Sequence, residues 1–203
     1  MAGFSLRAAF ALASGLIGTM VDAAAVGNMV ERSITNSNGK TSTVLVNRGL
    51  TQTNYKVRRE SYETNSTTST FFKDDKLVAL CTPQTDKDGT VIDSSYAEDC
   101  SYILSYYRSE DQWGWWNIDD LVPGVDFKLI QHNTCSLYTR VPESHFSLQI
   151  SNADLEAFVN TTMHKYSRGF NDGRAERVQG DGTLQCFETD GETALVATLS
   201  LRR

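Results

Sequence analysis

The chain has 203 residues, a net charge of −6 from 19 Lys and Arg against 25 Asp and Glu, 40% hydrophobic residues and four cysteines. That length suits one domain with a substantial core. Phosphate backbones repel an acidic chain, so nucleic acid is set aside as a partner.

In chain order, Met1 to Arg7 opens with a single cation, and Ala8 to Val21 is an apolar run. Ala23 and Ala25 then supply the small-x-small pattern that signal peptidase reads, which places cleavage after Ala25. The run is too short to span a bilayer, and no later segment is long and apolar enough to do so. Residues 1–25 therefore read as a signal peptide, and the mature chain is expected to be soluble and secreted. Cleavage removes Arg7 and Asp22 and leaves the charge at −6. Cys81, Cys100, Cys135 and Cys186 all follow the cleavage site. In an oxidising compartment they make two disulfides, with three pairings open. No Cys-x-x-Cys or His-rich spacing points to zinc, so no metal or cofactor is expected.

Residues 26–70 are rich in Ser, Thr and Asn, lack cysteine, and read as a polar N-terminal extension. Thr41–Val46 and Gln52–Val57 suggest a weak hairpin around Asn47–Gly49. Arg58-Arg59 is a dibasic pair that secretory endoproteases can cut. Asn65-Ser66-Thr67 is a glycosylation sequon in a polar stretch, which makes Asn65 a candidate acceptor.

Residues 71–203 are better patterned. Leu77–Cys81 reads as a buried strand ended by Thr82-Pro83, with Asp86–Gly89 as a turn. Ser95 and Glu98 match a capping box. After it, Tyr96, Cys100, Ile103, Leu104 and Tyr107 share one helical face. Trp113 to Ile118 is a short aromatic segment. Phe127, Leu129, Cys135, Leu137 and Val141 share one strand parity, interrupted near His132-Asn133. Phe146, Leu148 and Ile150 alternate as another strand. Asn152 is placed to cap a second helix with Leu155, Phe158, Val159, Thr162, Met163 and Tyr166 on its apolar face. Lys165 and Arg168 complement its dipole, and Gly169 stops it. Gly180–Gly182 and Asp190-Gly191 read as turns, flanking a strand that holds Leu184 and Cys186, with a last strand from Ala194 to Leu201. Two amphipathic helices need an apolar surface to cover. The expected fold is therefore α+β: a mainly antiparallel sheet with both helices packed on one face and two disulfides.

The chemical candidates are sparse. His132 falls in a strand, and His164 falls on the polar face of the second helix with Glu156 and Asn160. There is no Gly-x-Ser-x-Gly elbow and no metal spacing around the three histidines His132, His145 and His164. Asp74-Asp75 and Asp119-Asp120 are adjacent carboxylate pairs of the kind found in solvated loops. With the cysteines paired, no thiol nucleophile remains, so the chain is not read as an enzyme. Trp113, Trp115 and Trp116 form the most unusual cluster. Alternation sends Trp113 and Trp115 to one face and Trp116 to the other. The expectation is that Trp113 and Trp115 fill the core, with Trp116 undecided between core and surface; an exposed aromatic platform is the alternative. Asn160-Thr161-Thr162 is a second sequon, on the helix's polar face, so Asn160 is also a possible glycosylation site.

Four features stand in a recognisable order. They are Cys81; Asp99-Cys100 opening a helix; Asn133-Thr134-Cys135 in a strand; and Ile150-Ser151-Asn152-Ala153-Asp154-Leu155 leading to Gly173-Arg174 and then Gly182-Thr183-Leu184-Gln185-Cys186. Over residues 75–190 the chain resembles a fungal extracellular effector family, the necrosis-inducing factors. Ser151 and Asn133 stand where that family tends to have Gly, and Arg174-Ala175-Glu176-Arg177 replaces its Arg-Val-Gly-Ala. The element order is also similar to killer-toxin folds of the α/β-sandwich type. The resemblance implies a protein secreted by a fungus that acts on a host or competing microbe, with no known reaction. The leading reading is an effector or toxin-like protein that works by binding a protein or glycan target. The alternative is a secreted glycan-binding module using the Trp113–Trp116 segment.

Cys100 lies on the apolar face of the first helix, so its partner is expected to be an inward strand cysteine, Cys135. Cys81 and Cys186 belong to the first and last strands of the family-like unit. The expected pairs are Cys100–Cys135 and Cys81–Cys186.

Overall fold

The computed structural model describes residues 29–50 and 69–203. The signal segment 1–25, the Gln52–Val57 half of the expected hairpin, Arg58-Arg59 and Asn65 lie outside the described residues. The strands are β1 (Met29–Thr35), β2 (Thr41–Asn47), β3 (Ser69–Lys73), β4 (Thr82–Asp88), β5 (Ser95–Tyr96), β6 (Gly114–Ile118), β7 (Phe127–His132), β8 (Cys135–Arg140), β9 (Leu148–Ser151), β10 (Arg177–Val178), β11 (Gly180–Phe187) and β12 (Ala194–Arg202). The helices are α1 (Ala97–Arg108) and α2 (Asn152–Tyr166).

All strand pairings are antiparallel, and the main sheet runs β1-β2-β7-β8-β12-β11-β9-β6-β3. The fold is thus α+β, with both helices on one face of a curled sheet. β4 pairs with β11 along Gly180–Gln185, and β9 takes over the same edge at Phe187. Two cross-links bind the layers: Cys100–Cys135 ties α1 to β8, and Cys81–Cys186 closes the fork where β4 and β9 part. These are the two expected pairs. The core between helices and sheet holds Ile103 of α1, Leu155 and Val159 of α2, and Ile118, Leu137, Leu148, Ile150, Leu199 and Leu201 of the sheet, all essentially inaccessible.

The α2 face expected from periodicity is the packed one: Leu155, Phe158, Val159 and Thr162 are buried, with Met163 and Tyr166 packed against the core. Its cap is Ser151 instead of Asn152. Ser151 Oγ accepts from Asp154 N at 3.1 Å, and Asp154 accepts from Ser151 N at 2.9 Å, a complete capping box. Asn152 is drawn away by Trp116, whose Nε1 donates to its Oδ1 at 3.0 Å, and it also donates to Gln112 O. At α1 the expected Ser95–Glu98 capping box is absent. Tyr96 is the cap residue, Ser95 Oγ donates to Thr134 O, and Glu98 pairs with Lys40.

Other local readings are corrected by tertiary contacts. β4 begins at Thr82, where the expected strand was to end, because Leu80 N and Cys81 N donate to the Asp154 carboxylate instead of to a neighbouring strand. Pro83 fits because β4 is a side strand with a register shift at its contact with Thr183 and Leu184. Asp86 and Asp88 sit in β4, not a turn, each paired with a cation at the end of α2, Lys165 and Arg168. Gly180 and Gly182 are strand residues as well. α2 lies so close above them that a Cβ on Gly182 would stand 2.8 Å from Phe158 Cε2, and one on Gly180 the same distance from Thr162 Cγ2. The long parity run is a β7–β8 hairpin turning at Asn133-Thr134, with Asn133 in the left-handed region (φ 44°). A register shift between Lys128 and Ile130 buries both Leu129 and Ile130. Phe146 lies outside β9 and is exposed. β2 pairs with β1 and, at Leu45 and Val46, with β7, so these N-terminal strands continue the main sheet.

Candidate functional site

Trp115 and Trp116 fall on opposite faces of β6, as alternation expects, but Trp115 is not the core residue it was expected to be, and Trp116, left undecided, is. Trp116 shares its parity with Ile118, is 3% exposed, and packs on Phe71 at 4.5 Å between ring centroids. Trp113 and Trp115 are only half-buried. The helices lie on the side of Trp116, so Trp115 is turned to the opposite face, which is helix-free among the described residues. There it stacks on Phe72 of β3, with ring centroids 5.2 Å apart and planes within 10°.

Register places a lane of side chains beside this pair. Asn117 lies two residues along β6, opposite Gln149 of β9, and Gln149 stands opposite Phe187 of β11. Gln185 follows on the same face of β11, opposite Val196 of β12. Gln149 Nε2 donates to Asn117 Oδ1 at 3.1 Å, and Gln84 Nε2 donates to Gln185 Oε1 at 2.8 Å. Phe72, Phe187 and Val196 remain 39%, 38% and 44% exposed. Beyond Val196 the lane enters an open depression of about 290 Å³, lined by Pro142, His145, Gln185, Ala194, Leu195 and Val196. Sequence reasoning singled out Trp115 but expected it in the core, and it missed Phe72, Asn117, Gln149, Gln185, Phe187 and Val196. The outward parity of Phe187 and Val196, opposite to that of the buried residues beside them, was the signal available.

Most of the remaining candidates are held in structural roles. His132 is buried against the Tyr102 ring, its Nδ1 2.9 Å from Thr43 O and its Nε2 3.2 Å from Asn133 Nδ2. With Nδ1 donating to the carbonyl, Nε2 is the acceptor for the amide. His145 Nδ1 lies 2.7 Å from Glu188 Oε1 at the rim of the depression, while His164 is exposed on α2. Asp119 accepts from Thr189 Oγ1, and Asp74 accepts from the backbone N–H of Asp75. Asn160 Oδ1 accepts from Arg108 Nη2 at 3.1 Å, and Thr162 of the same sequon is buried. Among the described residues no group of three His, Cys, Asp or Glu side chains is placed to hold a metal ion, and no helix is long and apolar enough to cross a membrane.

A second cavity, of about 200 Å³, opens between β4 and α2 over the Cys81–Cys186 bridge, with Ala157, Phe158 and Leu184 among its walls and Asp154 at its edge. Burial raises the Asp154 carboxyl above its ordinary value, against the hydrogen bonds from Ser151, Cys81 and Leu80 that favour its charge. Those bonds saturate the carboxylate with backbone and cap donors, so its chemistry here is to join the Cys81 segment to α2.

A family model described as "Pathogen effector; putative necrosis-inducing factor" matches residues 80–186, a span that contains both helices, both disulfides and the Trp115–Gln185 part of the lane. No curated protein matches the chain.

Proposed function

The chain belongs to this pathogen-effector family, whose match covers more than half of its length, and we propose that it is a secreted fungal effector that acts by binding a host or competitor target, without catalysis. The observation that carries this reading is the row of apolar side chains turned out on the helix-free face: Phe72, stacked on the half-buried Trp115, then Phe187 and Val196. Apolar side chains aligned on one face of an otherwise acidic, polar chain mark an interaction surface. Two disulfides, with all four cysteines in the core, support an oxidising, extracellular setting. In this reading export removes residues 1–25, the effector unit is 71–203, and residues 26–70 extend it. Asn65 is the favoured glycan acceptor, since the Asn160 side chain is engaged by Arg108. The target is a protein or glycan, without nucleic-acid binding or stable membrane insertion.

The test is to apply the purified secreted protein to host tissue or competing cells and score cell death. Trp115→Ala is expected to abolish the response without changing the melting temperature, whereas His164→Gln, exposed on α2 away from this face, keeps it. A response that survives Trp115→Ala and vanishes in His164→Gln would overturn the binding reading in favour of chemistry. N-terminal sequencing of the same preparation should give Val26; a start at Met1 refutes the signal peptide.

A further inference from the structure

We propose that the lane across the helix-free face is a binding site for a neutral, β-linked oligosaccharide; this rests on the reading of that face as the binding surface. The lane combines two kinds of group in alternation. At one end Phe72 and Trp115 are stacked with nearly parallel planes, which holds them as one rigid apolar platform. Its outward ring edges and the parts of the faces the stack leaves uncovered offer an apolar surface for the C–H groups of a sugar ring. Next come the paired amides of Asn117 and Gln149, then the ring of Phe187, then the paired amides of Gln185 and Gln84. A primary amide offers two N–H donors and an oxygen with two lone pairs. One amide–amide bond orients each side chain and leaves capacity on both partners. A pair of neighbouring sugar hydroxyls, each donor and acceptor at once, matches that capacity.

The geometry also selects against other occupants. The lane crosses β3, β6, β9, β11 and β12, four interstrand steps of about 4.8 Å or roughly 19 Å in all, enough for several sugar units. Its side chains, Phe72, Trp115, Asn117, Gln149, Gln185, Phe187 and Val196, carry no charge in a chain of net charge −6, which complements a neutral partner and repels an anionic one. An added peptide strand docks on a free sheet edge, but β9 is paired on both sides, with β6 and β11, so the centre of the lane offers no backbone. A membrane surface is held by a basic rim, and the depression at the far end is bordered instead by the His145–Glu188 pair. A linear chain of equatorially linked rings, flat on its faces and hydroxylated at its edges, fits the alternation of rings and amides.

The experiment is calorimetric titration of the full secreted protein with chitohexaose, cellohexaose and laminarihexaose, with an anionic oligogalacturonate as control. Binding of at least one neutral hexasaccharide and none of the anionic one is expected. Trp115→Ala and Gln149→Ala should each weaken it about tenfold or more, as truncation at the centre of an interface does. Ile92→Ser, at an exposed position remote from the lane, should leave it unchanged. Phe187→Ser, at an exposed site, serves if Trp115→Ala lowers the melting temperature. Failure of all three neutral sugars to bind, or binding indifferent to the lane variants, overturns the proposal. Cell-death assays on the same variants separate the two levels: loss of response without sugar binding leaves the face in use with a different occupant, whereas an unchanged response removes the face itself.

Discussion

Asp99 Oδ2 accepts a hydrogen bond from Thr134 Oγ1 at 2.6 Å, one residue before each half of the Cys100–Cys135 disulfide. The same carboxylate accepts from Thr134 N at 3.2 Å and from Asn133 Nδ2 at 3.1 Å, so it clamps the β7–β8 turn to the first turn of α1. The two sulfurs are thereby set facing each other by polar contacts beside them. Asp99→Ala leaves these donors without their acceptor and should cost about 1–3 kcal/mol. It should also increase mispaired disulfide isomers after oxidative refolding, read by non-reducing peptide mapping. A wild-type isomer distribution would show that the clamp plays no part in pairing.

Phe158 and Gly182 form a second interlock, the ring lying over the bare Cα of the strand. Phe158→Ala should cost about 3–5 kcal/mol in urea denaturation through the cavity it leaves. Gly182→Ala places a methyl in the same space and should cost about 1–3 kcal/mol. If Gly182→Ala is neutral, α2 does not sit as tightly on β11 as described.

The two disulfides close loops of different length, with sequence separations of 105 for Cys81–Cys186 and 35 for Cys100–Cys135. Chain entropy in the unfolded state assigns roughly 4–5 kcal/mol to the longer loop and just under about 4 kcal/mol to the shorter. Cys81→Ala/Cys186→Ala should therefore lower the denaturation midpoint more than Cys100→Ala/Cys135→Ala. The reverse order would mean that the covalent tie between α1 and β8 matters through native packing.

Asp154 carries a pH dependence of definite sign. Burial raises its folded-state carboxyl above the ordinary 3.8, so the folded chain holds this proton to higher pH than the unfolded chain does. The stability linked to it falls as pH rises from about 3.8 through the folded-state value. Asp86, held low by the Lys165 ammonium, and Asp88, held low by the Thr90 backbone N–H, act in the opposite sense. Both remain in Asp154→Asn and cancel in a comparison of the two chains. The stability of the wild type minus that of Asp154→Asn, measured in urea between pH 3.5 and 6.5, should decrease with pH. An increase would mean that the hydrogen bonds from Leu80, Cys81 and Ser151 outweigh burial.

Periodicity alone determined the helix faces and most strand faces, because both follow from the local geometry of the chain. Leu155, Phe158 and Val159 recur at helical spacing and pack inward; Leu184 and Cys186 alternate with Phe187 and do the same. The disulfide partners did not follow from faces alone, since Cys186 points inward as Cys135 does; the strand order of the family-like unit was needed to expect Cys81–Cys186. Where a residue answers to a partner distant in sequence, local signals misled. Gly180 and Gly182 look like a turn and are strand, because only glycine lets α2 come so close. Ser95 matches a capping box, yet its hydroxyl goes to Thr134 O. Asn152 looks like a cap and is taken by the Trp116 indole. The tryptophan pair shows the boundary most clearly. Alternation put Trp115 and Trp116 on opposite faces, but which face is interior depends on where the helices lie. That is decided by the packing of α1 and α2 on β8 and β11, so the surface that carries the lane came into view only with the tertiary structure.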